Sequence, residues 1–309
     1  MDTEFVNLTN YTYDYDYDSI LQTTPYKTEI VVSSVLLYIG ICANIWMIRS
    51  LYKSWKTGSR MHFYLLAICV ADLLGLCIRC GVNIGLRATV VWRGGYYGCK
   101  IFAGLEMFGA TLSHLILAGF NIDNLFTITC SRSIKALRIV FLLLSFVVAF
   151  IISCVKFYFY HLVQMSYHRD DMYYCLLDSE VAYIAFPVVH AAAYFLLPLL
   201  TMILFGLPSM FVWCCKKGTL SYEKLTRGDD SSTDLQFIGR DIGIVLAYDV
   251  VLILCCAPLV GYNWLYRFSS FTVHLVLIYL DTINPCLNPF IYAIFNCIVG
   301  RRERTSPGL

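Results

Sequence analysis

The side chains best placed to do chemistry in this chain are polar groups set at helical spacing inside apolar runs. Asp281, Asn284, Asn288 and Tyr292 stand at i, i+3, i+7 and i+11, which is one face of an α-helix. Cys99, Glu106 and Ser113 recur every seven residues, again one face. Asp72 sits in the middle of a third apolar run. A carboxylate there costs about 2.5–3.5 kcal/mol on insertion scales, so it needs an interior partner. Such faces offer ion pairing and hydrogen bonding rather than bond making. No nucleophile–base set or metal-ligand cluster accompanies them, and His114 and Asp123 are too isolated in sequence to argue catalysis. The 14 cysteines lack zinc spacing. Cys42, Cys69, Cys77, Cys154, Cys255, Cys256 and Cys286 fall inside apolar runs, where small, soft side chains pack between helices. The chain does not read as an enzyme.

A second chemically distinctive segment lies near the amino end. Tyr11, Tyr13, Tyr15 and Tyr17 interleave with Asp14, Asp16 and Asp18. In a secretory lumen, acidic tyrosine clusters invite sulfation. A polyanionic tail of this kind attracts basic proteins over long range and speeds their encounter. The other reading is an acidic tail that only solvates. Asn7-Leu8-Thr9 and Asn10-Tyr11-Thr12 are N-glycosylation sequons. Residues 1–29 lack the basic start and apolar core of a secretory signal peptide.

The elements that must position these groups are membrane helices. Of the 309 residues, 59% are hydrophobic and 14% charged, against about 25% charged in a soluble domain. Seven apolar stretches, at 30–52, 61–87, 97–129, 137–160, 182–215, 238–267 and 271–297, are each long enough to span a bilayer, which takes about 20 residues. Arg49, Lys53, Lys56 and Arg60 follow the first stretch, and Arg132, Lys135 and Arg138 the third. Lys216, Lys217, Lys224, Arg227 and Arg240 follow the fifth, and Arg301, Arg302 and Arg304 the last. Alternate basic segments share one side, which the positive-inside rule makes cytoplasmic. The expectation is an all-α membrane protein, a seven-transmembrane helix bundle with its amino terminus outside. Residues 1–29 form an extracellular tail, 30–297 the bundle and 298–309 a short cytoplasmic tail, in the plasma membrane. The net charge of +2 provides no basic field for nucleic acid. Neither inverted repeats nor paired broken helices argue for a transporter.

The landmarks along these stretches resemble those of rhodopsin-like G-protein-coupled receptors over nearly the whole chain. They are Asn44, Ala71-Asp72-Leu73, Trp92 before Gly98-Cys99, Cys175, Pro198, Cys255-Cys256-Ala257-Pro258, and Asn288-Pro289-Phe290-Ile291-Tyr292, which matches NPxxY. The resemblance implies a disulfide between Cys99 and Cys175. It also implies a sodium ion among Asp72, Ser113, Asn284 and Asn288, whose oxygens suit a hard cation; a polar packing network without an ion is the alternative. The acidic tyrosine tail resembles that of chemokine receptors, implying a chemokine or other basic protein as ligand. Several marks of that subfamily are absent. Cys80 stands where it has proline, Asn284 where it has histidine, and Ile278 where it has an acid. The usual cysteine pair between the tail and the loop near Arg267–Phe271 is also missing. Glu106 and Asp281 are the acids available instead. Glu106, about 10 Å below Cys99 at 1.5 Å per residue, can meet a ligand amine or Arg79. His190 reads as pocket lining.

The departures gather on the residues that the family uses for activation. The DRY sequence reads Asp123-Asn124-Leu125, and Asn124 cannot form the charged lock that arginine makes. Cys256 replaces the helix 6 tryptophan, two residues before Pro258. Gly206 replaces a tyrosine and Phe146 a tryptophan. Two outcomes follow: ligand-independent signalling to a heterotrimeric G protein, or a decoy that sequesters chemokine without coupling. Asp123, Asn124, Cys256, Pro258 and Tyr292 are the switch residues in either case. Herpesvirus and poxvirus homologues combine such eroded motifs with compact chains. This sequence is similar to them, which implies a viral origin and a host cell membrane. Thr305 and Ser306 are the only phosphorylation candidates after Arg304, which implies weak arrestin recruitment.

Overall fold

The computed structural model describes residues 6–7, 24–53, 60–89, 91–130, 135–167, 170–177, 188–189, 191–227, 232–265 and 271–305. Seven long helical segments dominate them. Four are α1 (Thr24–Lys53), α2 (Arg60–Thr89), α3 (Gly95–Cys130) and α4 (Lys135–Phe159). The fifth, here α5, is a continuous run of Ala192–Leu196, Leu197–Thr201, Met202–Gly206 and Leu207–Arg227. Then come α6 (Ser232–Leu265) and α7 (Phe271–Thr305). Among the described residues, six helices carry a run long and apolar enough to cross a membrane. The seventh, α7, spans 35 residues. Its apolarity is diluted by the polar face of Asp281, Asn284 and Asn288.

The expected boundaries move, and α1 begins at Thr24 rather than 30. α5 continues to Arg227 rather than 215, α6 begins at Ser232 rather than 238, and α7 continues to Thr305 rather than 297. Apolar runs mark the lipid-facing length only. Helices extend past it because leaving lipid does not break their backbone hydrogen bonds. α5 is locally wide: Ala192–Leu196 and Met202–Gly206 wind as π-helix. Each contains the carbonyl four residues before a proline, Tyr194 before Pro198 and Leu204 before Pro208. A wider turn accommodates the missing donor and the ring clash.

The chain is not purely helical. β2 (Tyr160–Tyr167) and β3 (Asp170–Leu177) form an antiparallel hairpin, and β1 (Val6–Asn7) pairs in parallel with Val163 and Gln164 of β2. Membrane-length periodicity gives no signal for so short a sheet. The tail residues Asn10, Tyr11, Tyr13, Asp14, Tyr15, Asp16, Tyr17 and Asp18 lie outside the described residues, as do His190 and Ser306.

Packing explains the bundle's tightest seam. A Cβ added at Gly109 of α3 would meet the Gly75 backbone at 2.6 Å. The two glycines let α2 and α3 touch backbone to backbone, as small residues do between membrane helices. The main core runs through α1, α2, α3, α4, α6 and α7, with Tyr64 stacked on Phe120 at 4.7 Å between ring centroids. α4 turns Val140, Leu143, Val147 and Phe150 outward, the face expected toward lipid.

Candidate functional site

The polar groups inside the bundle form three layers, here named outer, middle and inner from the end that carries Cys99 and Cys175. The outer layer is a chain of alternating charge. Lys156 of α4 donates to Glu106 of α3 at 2.5 Å, and Arg79 of α2 donates to the other Glu106 oxygen at 3.1 Å. Arg79 also donates to Asp281 of α7 at 2.5 Å, and Cys256 Sγ of α6 donates to Asp281 at 2.9 Å. Two cations and two anions thus link four helices, and the Cys256 thiol adds α6 as a fifth. Arg79, one of the partners weighed for Glu106, pairs with it here, joined by Lys156, which sequence reasoning missed. Cys256 explains part of this arrangement. Its small thiol lies where the family places tryptophan, and it reaches the Asp281 carboxylate directly.

The disulfide implied by the resemblance joins Cys99 and Cys175. It fixes β3 to the top of α3, and Trp92 N–H donates to the Tyr173 carbonyl at 2.8 Å beside it. Gly95 opens α3 with φ of 66°, a left-handed conformation that favours glycine. Its carbonyl accepts from Trp92 Nε1 at 2.8 Å.

The middle layer surrounds Asp72. Ser113 Oγ donates to Asp72 Oδ1 at 2.6 Å and Asn288 Nδ2 to Asp72 Oδ2 at 2.7 Å. The Gly75–Gly109 contact, one turn away, makes this reach possible. Asn284 Oδ1 is buried without a hydrogen-bond partner among the described residues. A cavity of about 20 Å³ is lined by Asp72, Ser113, Asn284, Arg79 and Asp281 among others. That exceeds the roughly 10–15 Å³ that one water needs. One carboxylate, one hydroxyl and an orphaned amide oxygen beside a small cavity are a donor set that fits a hard monovalent cation. Among the described residues, no group of three His, Cys, Asp or Glu could hold a transition metal. One of the two prolines in α7 is served by this layer too. Pro289 deprives the Pro285 carbonyl of its helical donor, and Asn44 Nδ2 of α1 supplies one at 3.0 Å.

The inner layer ties α3 to α6. Asn121 Nδ2 donates to Asp249 at 2.8 Å, and both side chains are buried. Arg60, the first residue of α2, lies 3.2 Å from Asp241 of α6 and 3.7 Å from Asp123 of α3. Arg138 of α4 lies 3.9 Å from Asp123. Asn124 is buried, and neither of its side-chain polar atoms has a hydrogen-bond partner among the described residues. Gly206 is also accounted for. A Cβ there would meet Asn121 Oδ1 at 2.8 Å and Leu246 Cδ2 at 2.9 Å, so the Asn121 side chain occupies space that a larger residue 206 would take.

The sequence-derived switch residues therefore do not form one cluster. Asp123 and Asn124 belong to the inner layer and Cys256 to the outer one. Tyr292 packs in the core with Trp46 edge-on at 6.4 Å, and Pro258 lies inside α6. Asp241, Asp249 and Asn121 were not singled out by sequence. The signal for the two acids was available, because an ionisable residue within a membrane span is a functional candidate by default.

Residues 43–292 match the family described as 7 transmembrane receptor (rhodopsin family). The chain is 20% identical over 302 residues to the mesotocin receptor of Rhinella marina, covering 87% of this chain and 74% of that one. It is 30% identical over 135 residues to the probable G-protein coupled receptor C06G4.5 of Caenorhabditis elegans, covering 40% of this chain and 30% of that protein. It is 23% identical over 153 residues to the endothelin receptor type B of Oryctolagus cuniculus, covering 48% and 35% respectively. The family match spans the polar layers of all seven helices, so the chain belongs to the rhodopsin family of seven-transmembrane receptors and is a multi-pass membrane receptor, not an enzyme, whose partners are a ligand and a G protein.

Proposed function

We propose that this receptor binds a basic extracellular protein of the chemokine type through its acidic, tyrosine-sulfated amino tail. The observation that carries the reading is the internal neutralisation of the deep acids. Glu106 is held by Lys156 and Arg79, and Asp281 by Arg79. A cationic ligand is then served by the acidic tyrosine cluster of the tail, Tyr11, Tyr13, Asp14, Tyr15, Asp16, Tyr17 and Asp18, whose charge sulfation would raise. The pairing of β1 with β2 supports this, because it brings the start of the tail beside the hairpin that carries Cys175. The tail is extracellular and Asn7 and Asn10 carry glycans in this reading. The receptors named for mesotocin and endothelin set a competing expectation for the ligand. A binding screen of the purified full chain against a chemokine panel, with and without tyrosine sulfation, tests it. Binding that strengthens on sulfation supports the proposal, and absence of binding in both forms removes the chemokine assignment.

Two further parts of the proposal concern the interior. A sodium ion sits among Asp72, Ser113, Asn284 and Asn288, supported by the orphaned Asn284 oxygen. Signalling is altered and partly ligand-independent, because Asn124 lacks the charge of arginine. The decoy reading draws on the same residue, since an uncharged amide offers a G protein no cationic contact. Nucleotide exchange in cells separates the two. Chemokine uptake with flat G-protein output leaves the decoy standing. The eroded motifs fit a viral receptor acting in a host cell membrane.

A further inference from the structure

We propose that Arg60 is the clasp that holds the cytoplasmic ends of α3 and α6 together, a task residue 124 cannot perform in this chain. The geometry is specific. The Arg60 guanidinium reaches Asp241 of α6 through Nη2 at 3.2 Å and Asp123 of α3 through Nε at 3.7 Å. Its Nη1 donates to the Asp123 backbone carbonyl at 3.5 Å. All three residues are buried, at 8% exposure for Arg60, 1% for Asp123 and 6% for Asp241. Arginine suits this place because its planar fork presents several donors at once and keeps its charge.

The sign of the effect follows from the charges. Asp123 and Asp241 are like charges on neighbouring helices. With the guanidinium between them they attract through a shared partner, and without it they repel. Arg138 lies 3.9 Å from Asp123 and Arg240 lies 3.9 Å from Asp241. Asn124 contributes no charge, and its side-chain polar atoms make no hydrogen bond among the described residues. A second rung lies deeper, where Asn121 donates to Asp249. Asp249 is eight residues from Asp241, about 12 Å along α6 at 1.5 Å per residue. The two rungs give α3 and α6 a closed state whose inner end depends on a residue from a third helix. Loss of Arg60 opens that inner end and leaves the Asn121–Asp249 rung in place.

The test does not depend on the ligand or on coupling. Hydrogen exchange is followed along the inner turns of α6 in the purified full chain, without ligand, for Arg60→Gln, Arg60→Lys, Asp241→Asn, the double variant Arg60→Gln/Asp241→Asn, and Arg49→Gln as a control. Arg49 is an exposed cation at the inner end of α1. Arg60→Gln is expected to accelerate exchange around Asp241 about tenfold, the factor produced by about 1.4 kcal/mol of lost closure. Asp241→Asn gives a smaller acceleration because it also removes the repulsion. The double variant adds little to Arg60→Gln, Arg60→Lys retains most of the protection, and Arg49→Gln changes nothing. Unchanged exchange in Arg60→Gln overturns the proposal. So does equal acceleration in Arg49→Gln, or full additivity in the double variant. Should Arg60→Gln fail to fold, Arg60→Lys against Asp241→Asn decides, and equal protection in both also overturns it.

Discussion

Replacing Asp281 with asparagine is the sharpest probe of the outer charge chain. The substitution keeps the side-chain shape and an oxygen that accepts from Cys256 Sγ, which lies 2.9 Å away. The charge is lost, and the oxygen that accepts from Arg79 is replaced by an amide donor. Lys156, Glu106, Arg79 and Asp281 then change from two cations with two anions to two cations sharing one. At the 2.5 Å separation of Arg79 from Asp281, an effective dielectric of about 20 gives an attraction of roughly 7 kcal/mol. Desolvation offsets several kcal/mol per ion, and the net cost of removing one partner of a buried pair is about 3–5 kcal/mol. For a chain of this size, about 2 °C of melting temperature accompanies each kcal/mol, so Asp281→Asn should melt about 6–10 °C below the native chain.

The partner variant makes the reasoning refutable. Arg79→Gln alone strands the Asp281 carboxylate, leaves Glu106 with Lys156, and should cost a similar amount. Asp281→Asn/Arg79→Gln restores neutrality with the Lys156–Glu106 pair intact. The double variant should therefore melt well above the sum of the two losses, with a coupling of about 2–3 kcal/mol, the upper part of the range for contacting residues. Thermal unfolding of the purified full chain in detergent, followed by circular dichroism, reads all three. Additivity within about 0.5 kcal/mol would refute the charge-chain account and reduce Arg79 and Asp281 to independent polar residues.

Three other outcomes are checked by the same melting experiment. Gly206→Ala should cost about 1–3 kcal/mol, the range for overpacking, because its Cβ meets Asn121 Oδ1 at 2.8 Å. Asn44→Leu should cost about 1–3 kcal/mol by leaving the Pro285 carbonyl without a donor, whereas Asn44→Asp, which cannot donate from its side chain when ionised, should fare no better. If sodium binds at Asp72, the native chain should melt higher in sodium chloride than in choline chloride of equal strength, by about 1.4 kcal/mol at ten times the dissociation constant. Asp72→Asn should remove that difference, and a native chain indifferent to sodium would leave only the polar network.

The helices were legible because their signal is local. Length, apolarity and the one-face spacing of Asp281, Asn284, Asn288 and Tyr292 survive intact, and all four side chains are buried. The inner ends of α5, α6 and α7 were not legible from hydropathy, which measures contact with lipid rather than continuation of the helix. The charge chain was half legible. Arg79 was named as a partner for Glu106, but Lys156 lies 50 residues further on, and no helical spacing connects them. Arg60 was read only as one of several cytoplasmic basic residues. Its role depends on α3 and α6 meeting beside the first turn of α2, which is a property of the packed bundle.

The departures from the family pattern make more sense in pairs than singly. Cys256, read alone, is a lost tryptophan; beside Asp281 it is the small donor that lets a carboxylate and Arg79 enter the space between α2, α6 and α7. Gly206, read alone, is a lost tyrosine; beside Asn121 it is the absence of a side chain that leaves room for the Asn121–Asp249 rung. Asn124, read alone, is a lost cation; with Arg60 between Asp123 and Asp241, the positive charge has moved from α3 to α2. The fit is tightest at Gly206, where an added Cβ would meet Asn121 Oδ1 at 2.8 Å. Paired replacement leaves an interior in which the principal acids of the outer and inner layers have partners. With Asn124 contributing no charge, the closed state proposed above rests on Arg60, Asp241 and Asp249.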